Sequence, residues 1–186
     1  MSLKFLPSHQ PVIDVTKHWL FDIVIGLNFC PFAKKEWLNN TIGYCVDDAA
    51  AITPAIDHLL TQCDNMASNN QIETSLMIYS KGFSDFDEYL DLLDLAQQYL
   101  INAGFEGVFQ LASFHPHYCF DGLTDDDVEN YTNRSPYPML HIIREESMAK
   151  VLSVYKNPEQ IPEDNMVIAK DKGTAFFQQY LLNKDD

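Results

Sequence analysis

Three strand-like runs alternate with two helical patterns between residues 41 and 113, and this alternation limits what the chain can fold into. The strand-like runs cover residues 41–46, 74–79 and 107–113. A helix between two strands of one sheet returns the chain to the same end, so that the strands run parallel. Residues 139–143 (M-L-H-I-I) predict a further strand after a long loop. The period of two along a strand places Met139, His141 and Ile143 on one face, and Leu140, Ile142 and Arg144 on the other. The sequence therefore predicts an α/β fold: a single mixed sheet of about four to five strands with helices packed on it, a βαβαβ core, a long loop, a further strand, and extra helices at both termini.

N-cap residues and the spacing of apolar residues predict where the helices lie. The best pattern follows Ser84 or Asp85, where apolar residues recur with the 3.6-residue period up to Leu100. Other predicted helices begin with Asp14 as N-cap, after Cys30 with Pro31 in the first position, after Asp47 or Asp48, and with Ser147 as N-cap. Residues 158–162, bounded by two prolines, read as a linker, and residues 174–182 as a closing helix.

Length and charge restrict the class of protein. The 186 residues predict one domain, 1–186, long enough to bury a core without disulfides. Twelve basic residues oppose 27 acidic ones, for a net charge of −15. This balance disfavours nucleic acids and anionic membrane surfaces as partners, because both are bound through Lys and Arg.

The amino terminus and the cysteines indicate a cytoplasmic protein. M-S-L-K-F-L-P has neither a long apolar region nor a small-residue cleavage site, so we expect no export. Cys30, Cys45, Cys63 and Cys119 are widely spaced without a Cys-x-x-Cys pair, which favours reduced thiols over a disulfide framework.

Residues 113–145 hold most of the candidate chemistry. His115, His117 and His141 lie there, as do Arg134 and Arg144, the only two arginines of the chain. Arginine presents a planar fork that matches carboxylate and phosphate groups. The clustering predicts a functional site in this segment but does not indicate which reaction the site would carry out.

Three motifs also resemble a bacterial family described as a domain of unknown function, family 1415. They are F-C-P-F-A, G-F-E-G-V-F-Q-L-A-S-F-H-P-H-Y-C-F and N-Y-T-N-R-S-P-Y-P-M-L-H-I-I-R-E. The resemblance covers most of the chain. It implies a cytoplasmic bacterial origin and supplies no catalytic residues.

Recognition of a small anionic molecule accounts for the largest number of these residues. Arg134 and Arg144 can each bind an anion bidentately, and a histidine can transfer protons near neutral pH. Further hydrogen bonds would come from Asn133, Ser135, Tyr137 and Tyr118. Alternatively, the arginines hold the long loop to the sheet through internal ion pairs.

A divalent metal is the second candidate. Any of the three histidines could contribute ligands, together with Cys30, Cys119, Asp121, Asp125, Asp126, Asp127 and Glu129. The spacing matches no standard signature, and the same residues could instead bond loop backbone or face solvent.

A thiol site at Cys30 is the third candidate. A position at the start of a helix, near Lys34 and Lys35, would lower the pKa of this thiol and produce a nucleophile. The alternative is a buried, unreactive cysteine.

The sequence-based hypothesis is an enzyme, a hydrolase or transferase. It would bind a small anionic substrate in a cleft walled by residues 113–145, with the Cys30 turn closing it. His115, His117, His141 and Cys30 are the catalytic candidates. A non-catalytic ligand-binding or regulatory module, and a metal-binding or thiol-dependent enzyme using Cys30 with His115 and His117, are the alternatives. The oligomeric state stays open.

Overall fold

The computed structural model describes residues 7–181, and its centre is one four-stranded sheet. The strands are β1 (Ile42–Asp47), β2 (Thr74–Tyr79), β3 (Phe109–Phe114) and β4 (Met139–Arg144), in the spatial order β1-β2-β4-β3. The helices are α1 (Gln10–Trp19), α2 (Ala33–Asn39), α3 (Ile52–Ser68), α4 (Phe86–Asn102), α5 (Glu145–Leu152), α6 (Ile161–Lys172) and α7 (Thr174–Gln178). Short 3-10 helices cover Pro7–His9, Val128–Thr132 and Pro158–Gln160, and a π-helical turn, Leu20–Ile25, follows α1. The predicted α/β class with a single mixed sheet is confirmed.

The last strand explains why the sheet is mixed. β1 and β2 pair in parallel, whereas β4 pairs antiparallel with both β2 and β3. β1, β2 and β3 therefore share one direction, and β4 fills the gap between β2 and β3. A central strand is covered on both faces, which accounts for the nearly continuous apolar run of β4.

Side-chain alternation along the strands separates two apolar layers. On one face, α3 and α4 cover Met77, Tyr79, Leu140 and Ile142. On the other face, Leu76, Ile78 and Met139 contact a second cluster. That cluster is built from α1, the π-helical turn, α2, α6, α7 and the 3-10 helix Val128–Thr132.

Several predicted helix boundaries are wrong. α1 begins at Gln10, four residues before Asp14. α3 begins at Ile52, because Asp47 ends β1 and its Oδ1 atom accepts the N–H of Ala49 at 2.9 Å. The N-cap of α2 is Phe32 instead of Cys30.

The prolines at 158 and 162 start helices and do not bound a linker. Pro158 opens a 3-10 helix, and Pro162 lies in the first turn of α6. Proline is tolerated there because the first N–H groups of a helix have no intrahelical acceptor.

At α5 the helix begins at Glu145, before Ser147. The predicted cap of α4 is confirmed, because Asp85 Oδ1 accepts the N–H of Glu88 at 3.0 Å.

Two predictions concern residues at the chain ends. Residues 1–6, which carry most of the argument against export, and Leu182 lie outside the described residues. The predicted extent of the closing helix, residues 174–182, is wrong, because α7 ends at Gln178. Among the helices of residues 7–181, none combines the length and the apolar character needed to cross a membrane.

Candidate functional site

A cavity of about 410 Å³ lies between the sheet and the helices of its second face, and we call it the main pocket. Its floor is formed by side chains of β2, β3 and β4, and its walls by α1, the π-helical turn, the turn before α2, α5 and the start of α6. The lining is predominantly apolar and includes Trp19, Phe29, Phe32, Leu76, Phe114, Met148 and Leu152. No lysine, arginine, aspartate or glutamate is among the lining residues.

A histidine and a threonine form the polar part of the floor. His141 of β4 and Thr74 of β2 are hydrogen-bonded through Nε2 and Oγ1. The Thr74 hydroxyl donates its proton to the carbonyl of Ile142 at 2.8 Å. Thr74 Oγ1 must therefore accept from His141, so the imidazole carries its proton on Nε2.

This arrangement leaves the second nitrogen of His141 open. Nδ1 has no hydrogen-bond partner within residues 7–181, and it is not among the buried unpaired atoms of that region. Nδ1 is therefore an accessible acceptor on the floor of the main pocket.

Burial keeps His141 neutral. His141 is half-buried, and desolvation lowers the pKa of its imidazole from 6.5 to about 4. At neutral pH the imidazole offers a lone pair and no charge.

Cys30 lies in the wall of the same pocket, in the turn before α2. The N–H groups of Phe32 and Ala33 lower the pKa of its thiol, but burial has the larger effect and raises it overall. The sulfur is therefore a thiol at neutral pH. The main pocket thus brings together two of the predicted catalytic residues, Cys30 and His141.

The other two histidine candidates lie outside that pocket, where the chain leaves β3. His115 is fully buried, and its Nδ1 accepts the N–H of His117 at 3.0 Å. Its Nε2–H therefore donates to the carbonyl of Phe83 at 2.9 Å. Burial lowers the pKa of His115 to about 4. Both ring nitrogens of His115 are bonded to backbone, and the rings of His115 and His117 are 5.8 Å apart.

The two arginines also bond to backbone, Arg134 in the loop before β4 and Arg144 as the last residue of β4. Arg134 donates from Nε to the carbonyl of Tyr118 and from Nη2 to that of Asp125, at 3.0 and 2.8 Å. Arg144 donates to the carbonyls of Met66, Ile72 and Asn69 around the carboxyl end of α3. The arginines thus hold backbone segments through carbonyl oxygens and form no ion pair with a carboxylate in the described part of the chain.

Three of the four remaining predicted anion ligands are bonded within the loop or to the end of β3, and the fourth, Tyr137, packs partly buried against the second apolar cluster. Asn133 Nδ2 donates to the carbonyl of Ser113 at 3.0 Å, and Ser135 Oγ donates to that of Tyr137 at 2.6 Å. The Tyr118 hydroxyl accepts from Ser113 Oγ at 3.4 Å. Anion binding by these side chains stays a prediction, and their contacts are those of a folded loop.

The candidate metal ligands do not converge. Between residues 7 and 181, no three side chains of His, Cys, Asp or Glu are arranged to hold a metal ion. Asp127 Oδ2 accepts the N–H and hydroxyl of Thr124, which lowers its pKa, and Glu129 pairs with Lys170 at 2.6 Å.

Sequence reasoning missed Thr74 and Trp19 as pocket residues. The sequence indicates only that Thr74 begins a strand-like run and that Trp19 lies in the helix predicted after Asp14. Alternation had placed Met139, His141 and Ile143 on one face of β4, which the structure confirms. The pairing of Thr74 with His141 depends on the β2–β4 register, which pairs Thr74 with Ile143 and Leu76 with His141.

These observations define an α/β protein with an apolar, histidine-floored pocket on one face of its sheet. The family model described as "Protein of unknown function (DUF1415)" matches residues 11–179, so the chain belongs to this family. Neither the search of curated proteins nor the search of solved structures found a match.

Proposed function

We propose that the protein is a non-catalytic binding module for a small, uncharged, mostly apolar ligand. The ligand would occupy the main pocket and donate one hydrogen bond to Nδ1 of His141. The observation that carries this proposal is the open, oriented acceptor on the floor of an otherwise apolar cavity.

The size and lining of the main pocket support a small-molecule ligand. A volume of about 410 Å³ falls within the range of roughly 300–1,000 Å³ that is usual for small-molecule sites. Such sites are mostly apolar, with a few polar groups that fix the orientation of the ligand. Here the apolar walls would supply affinity, and His141 would supply orientation.

The electrostatics support an uncharged ligand over the anionic one expected from the sequence. The lining contains no Lys or Arg, and the low pKa of His141 leaves it without charge at neutral pH. A carboxylate in this pocket would lose its hydration without gaining a cation, which is costly. An alcohol or phenol loses less and matches the lone pair of Nδ1.

Eight-carbon compounds that differ only in the head group test the proposal. We expect 1-octanol to bind more tightly than octanoate or octylammonium in an NMR titration of the labelled protein. His141→Leu removes the acceptor and should weaken 1-octanol binding about tenfold, which corresponds to roughly 1.4 kcal/mol for one hydrogen bond. His18→Leu is the matched control, because the side chain of His18 is 70% exposed and lies outside the main pocket.

Two results would contradict the proposal. One is tighter binding of octanoate than of 1-octanol, which would support the anionic substrate instead. The other is equal affinity of the native protein and His141→Leu for 1-octanol, which would leave His141 without a role.

A thiol-dependent enzyme is the second candidate function. The observation in its favour is that Cys30 and His141 line the same pocket, where an imidazole lone pair could accept the thiol proton. The raised pKa of Cys30 in the free protein weighs against it.

A bacterial cytoplasmic origin belongs to this proposal as well. The family resemblance implies it, and the free state of all four cysteines is consistent with a reducing compartment.

A further inference from the structure

The outer side of β3 is an edge of the sheet whose backbone is only partly bonded. β3 stands last in the strand order, so only its inner side pairs with a strand, β4. Along an antiparallel strand, residues that bond to the neighbour alternate with residues whose N–H and C=O groups point away from it. The N–H of Glu145 donates to the carbonyl of Val108 at 3.1 Å, which assigns the even-numbered residues of β3 to β4. Phe109, Leu111 and Ser113 therefore direct their backbone groups outwards.

The chain itself bonds this edge at both ends. The N–H of Phe109 donates to the carbonyl of Phe105 at 3.1 Å. At the other end, Nδ2 of Asn133 donates to the carbonyl of Ser113 at 3.0 Å. Four groups between these points have no partner within residues 7–181: the carbonyl of Phe109, the N–H and carbonyl of Leu111, and the N–H of Ser113. We call these four groups the open edge.

The open edge is complementary to a second copy of itself. A twofold axis beside Leu111, perpendicular to the sheet, lays β3 antiparallel to β3 of the second copy. Leu111 then exchanges two hydrogen bonds with its counterpart, and the N–H of Ser113 in each copy donates to the carbonyl of Phe109 in the other. All four groups of each copy gain a partner in this way, and the same patch serves on both copies, as a twofold interface requires.

The side chains of this segment lack the features that keep edge strands apart. Sheet edges are commonly protected by charged side chains, by proline or by a bulge. Residues 107–114, G-V-F-Q-L-A-S-F, contain neither a charged residue nor a proline. The register of β3 with β4 is continuous from Phe109 to Phe114, without a bulge. A pairing centred on Leu111 therefore brings no like charges together, although the chain has a net charge of −15.

An apolar groove of about 280 Å³ follows the same edge on the first face of the sheet, between α4 and β3. Its apolar lining residues are Leu100, Ile101, Phe109 and Leu111. Ile101 is 51% exposed. Its two acidic residues, Glu106 and Glu145, lie at the Val108 end of β3, away from Leu111. In the pairing centred on Leu111, the Leu111 side chain of the second copy lies on this face and covers the outer side of the groove.

We propose that the open edge of β3 binds β3 of a second copy of this chain. The two sheets of four strands then form one continuous sheet of eight strands across a twofold axis. Two arguments carry the choice of a second copy: the open edge is self-complementary, and the chain's own bonds limit it at both ends. This interface does not depend on the function proposed for the main pocket.

Cysteine substitutions test the register of the pairing. Leu111→Cys places two thiols opposite each other across the axis, at a Cα separation of about 5.5 Å that suits a disulfide. Gln110→Cys is the matched control, because its counterpart lies on the diagonal with Cβ atoms about 7–8 Å away. Under mild oxidation, Leu111→Cys should give a disulfide-linked dimer of twice 21.3 kDa on a non-reducing gel. Gln110→Cys should give no more than the native protein, whose four free cysteines set the background.

Sedimentation equilibrium measures the association itself. The native protein should show a monomer–dimer equilibrium that shifts towards the dimer as NaCl is raised, because salt screens the repulsion between two chains of net charge −15.

Leu111→Pro removes the central N–H of the open edge but no bond to β4, and proline is compatible with an outward position on an edge strand. It should weaken dimerisation about a hundredfold, since two of the four interface hydrogen bonds are lost. Leu111→Ala is the matched control, because it removes the same side chain and keeps the N–H. If Leu111→Pro does not fold, the cysteine comparison still decides.

Three outcomes would overturn the proposal. They are a single monomeric mass of the native protein at every protein and salt concentration, equal linking of Leu111→Cys and Gln110→Cys, or equal association of Leu111→Pro and Leu111→Ala. The first would leave the edge to an extended peptide of another protein. None of these measurements involves 1-octanol binding in the main pocket, so the two proposals fail separately.

Discussion

The loop between β3 and β4 and the main pocket both contain histidine, yet they use it in opposite ways. In the loop, His115 has both ring nitrogens bonded to backbone groups, and Arg134 likewise donates to carbonyls. In the main pocket, His141 has one nitrogen bonded and the other open. A polar side chain whose hydrogen-bonding atoms all have partners within the protein stabilises the fold, whereas one that keeps an unbonded, accessible atom can bind a ligand.

The loop uses its polar side chains because it lacks regular structure over much of its length. Every buried backbone N–H and C=O group needs a partner, and a loop without strand or helix ladders must obtain partners elsewhere. Asn130 illustrates this, because its fully buried side chain bonds to the N–H of Phe120 and the carbonyl of Thr124. The main pocket is walled mostly by helices and strands, whose backbone groups bond largely to one another, and Nδ1 of His141 is not used to bond backbone there.

The largest effect that would test this comparison is expected at His115. His115→Ala removes a buried ring and leaves the Phe83 carbonyl and the His117 N–H without their partner, so we expect a loss of about 4 kcal/mol in the free energy of unfolding. Denaturant titration measures this loss, with His18→Ala as the surface control. Affinity for 1-octanol should stay unchanged in the folded variant, and a selective loss of affinity without a loss of stability would place His115 in a ligand site.

An intermediate effect should appear in the pH dependence of stability. His115 and His141 have pKa values of about 4 when folded and about 6.5 when unfolded. Between pH 6.5 and 4 the unfolded chain therefore binds protons that the folded protein does not, and stability falls as the pH falls. Each histidine contributes roughly 3 kcal/mol to this loss.

His141→Leu separates the two histidines in that experiment. Denaturant titrations at intervals between pH 7 and 4 should show about 3 kcal/mol less acid destabilisation in His141→Leu than in the native protein. Identical pH profiles would mean that burial in the main pocket does not keep His141 neutral. The contrast between the two histidine environments would then be wrong for the main pocket.

The smallest expected effect is on the alkylation rate of Cys30. This rate distinguishes a binding module from a thiol-dependent enzyme. Because burial raises the pKa of Cys30, its alkylation by iodoacetamide should be slow at pH 7 and still accelerate above pH 9. Peptide mass mapping follows each cysteine separately, and 1-octanol should protect Cys30 but not Cys119. A rate that levels off below pH 8 would instead favour a thiol-dependent enzyme.

The fold could be predicted from sequence because it depends on local patterns. Alternation of strands and helices predicted the sheet, the 3.6-residue period after Asp85 predicted α4, and alternation within β4 placed His141 apart from Leu140 and Ile142. The helix boundaries near Asp14, Asp47 and Pro158 were less accurate. The same residue types occur in caps, turns and first helical turns, and the surrounding structure selects among them.

The candidate site was harder to predict, because its residues are distant in sequence. Thr74 meets His141 only through the β2–β4 pairing, and Cys30 reaches the same cavity only because α1 and α2 pack on the second face of the sheet. Clustering along the chain instead drew attention to Arg134 and Arg144. The first lies in the loop before β4, the second is the last residue of β4, and they bond to different backbone segments.

The amino-acid sequence by itself determined the class of the fold, the strand faces and the family, because periodicity and motifs are properties of neighbouring residues. Only the tertiary structure decided which polar atoms are already bonded and which are open. The reason is physical: a hydrogen-bond partner is defined by position within about 3.5 Å, and the chain order does not fix which distant backbone group reaches a given side chain. The imidazole of His141 became a candidate ligand contact for this reason.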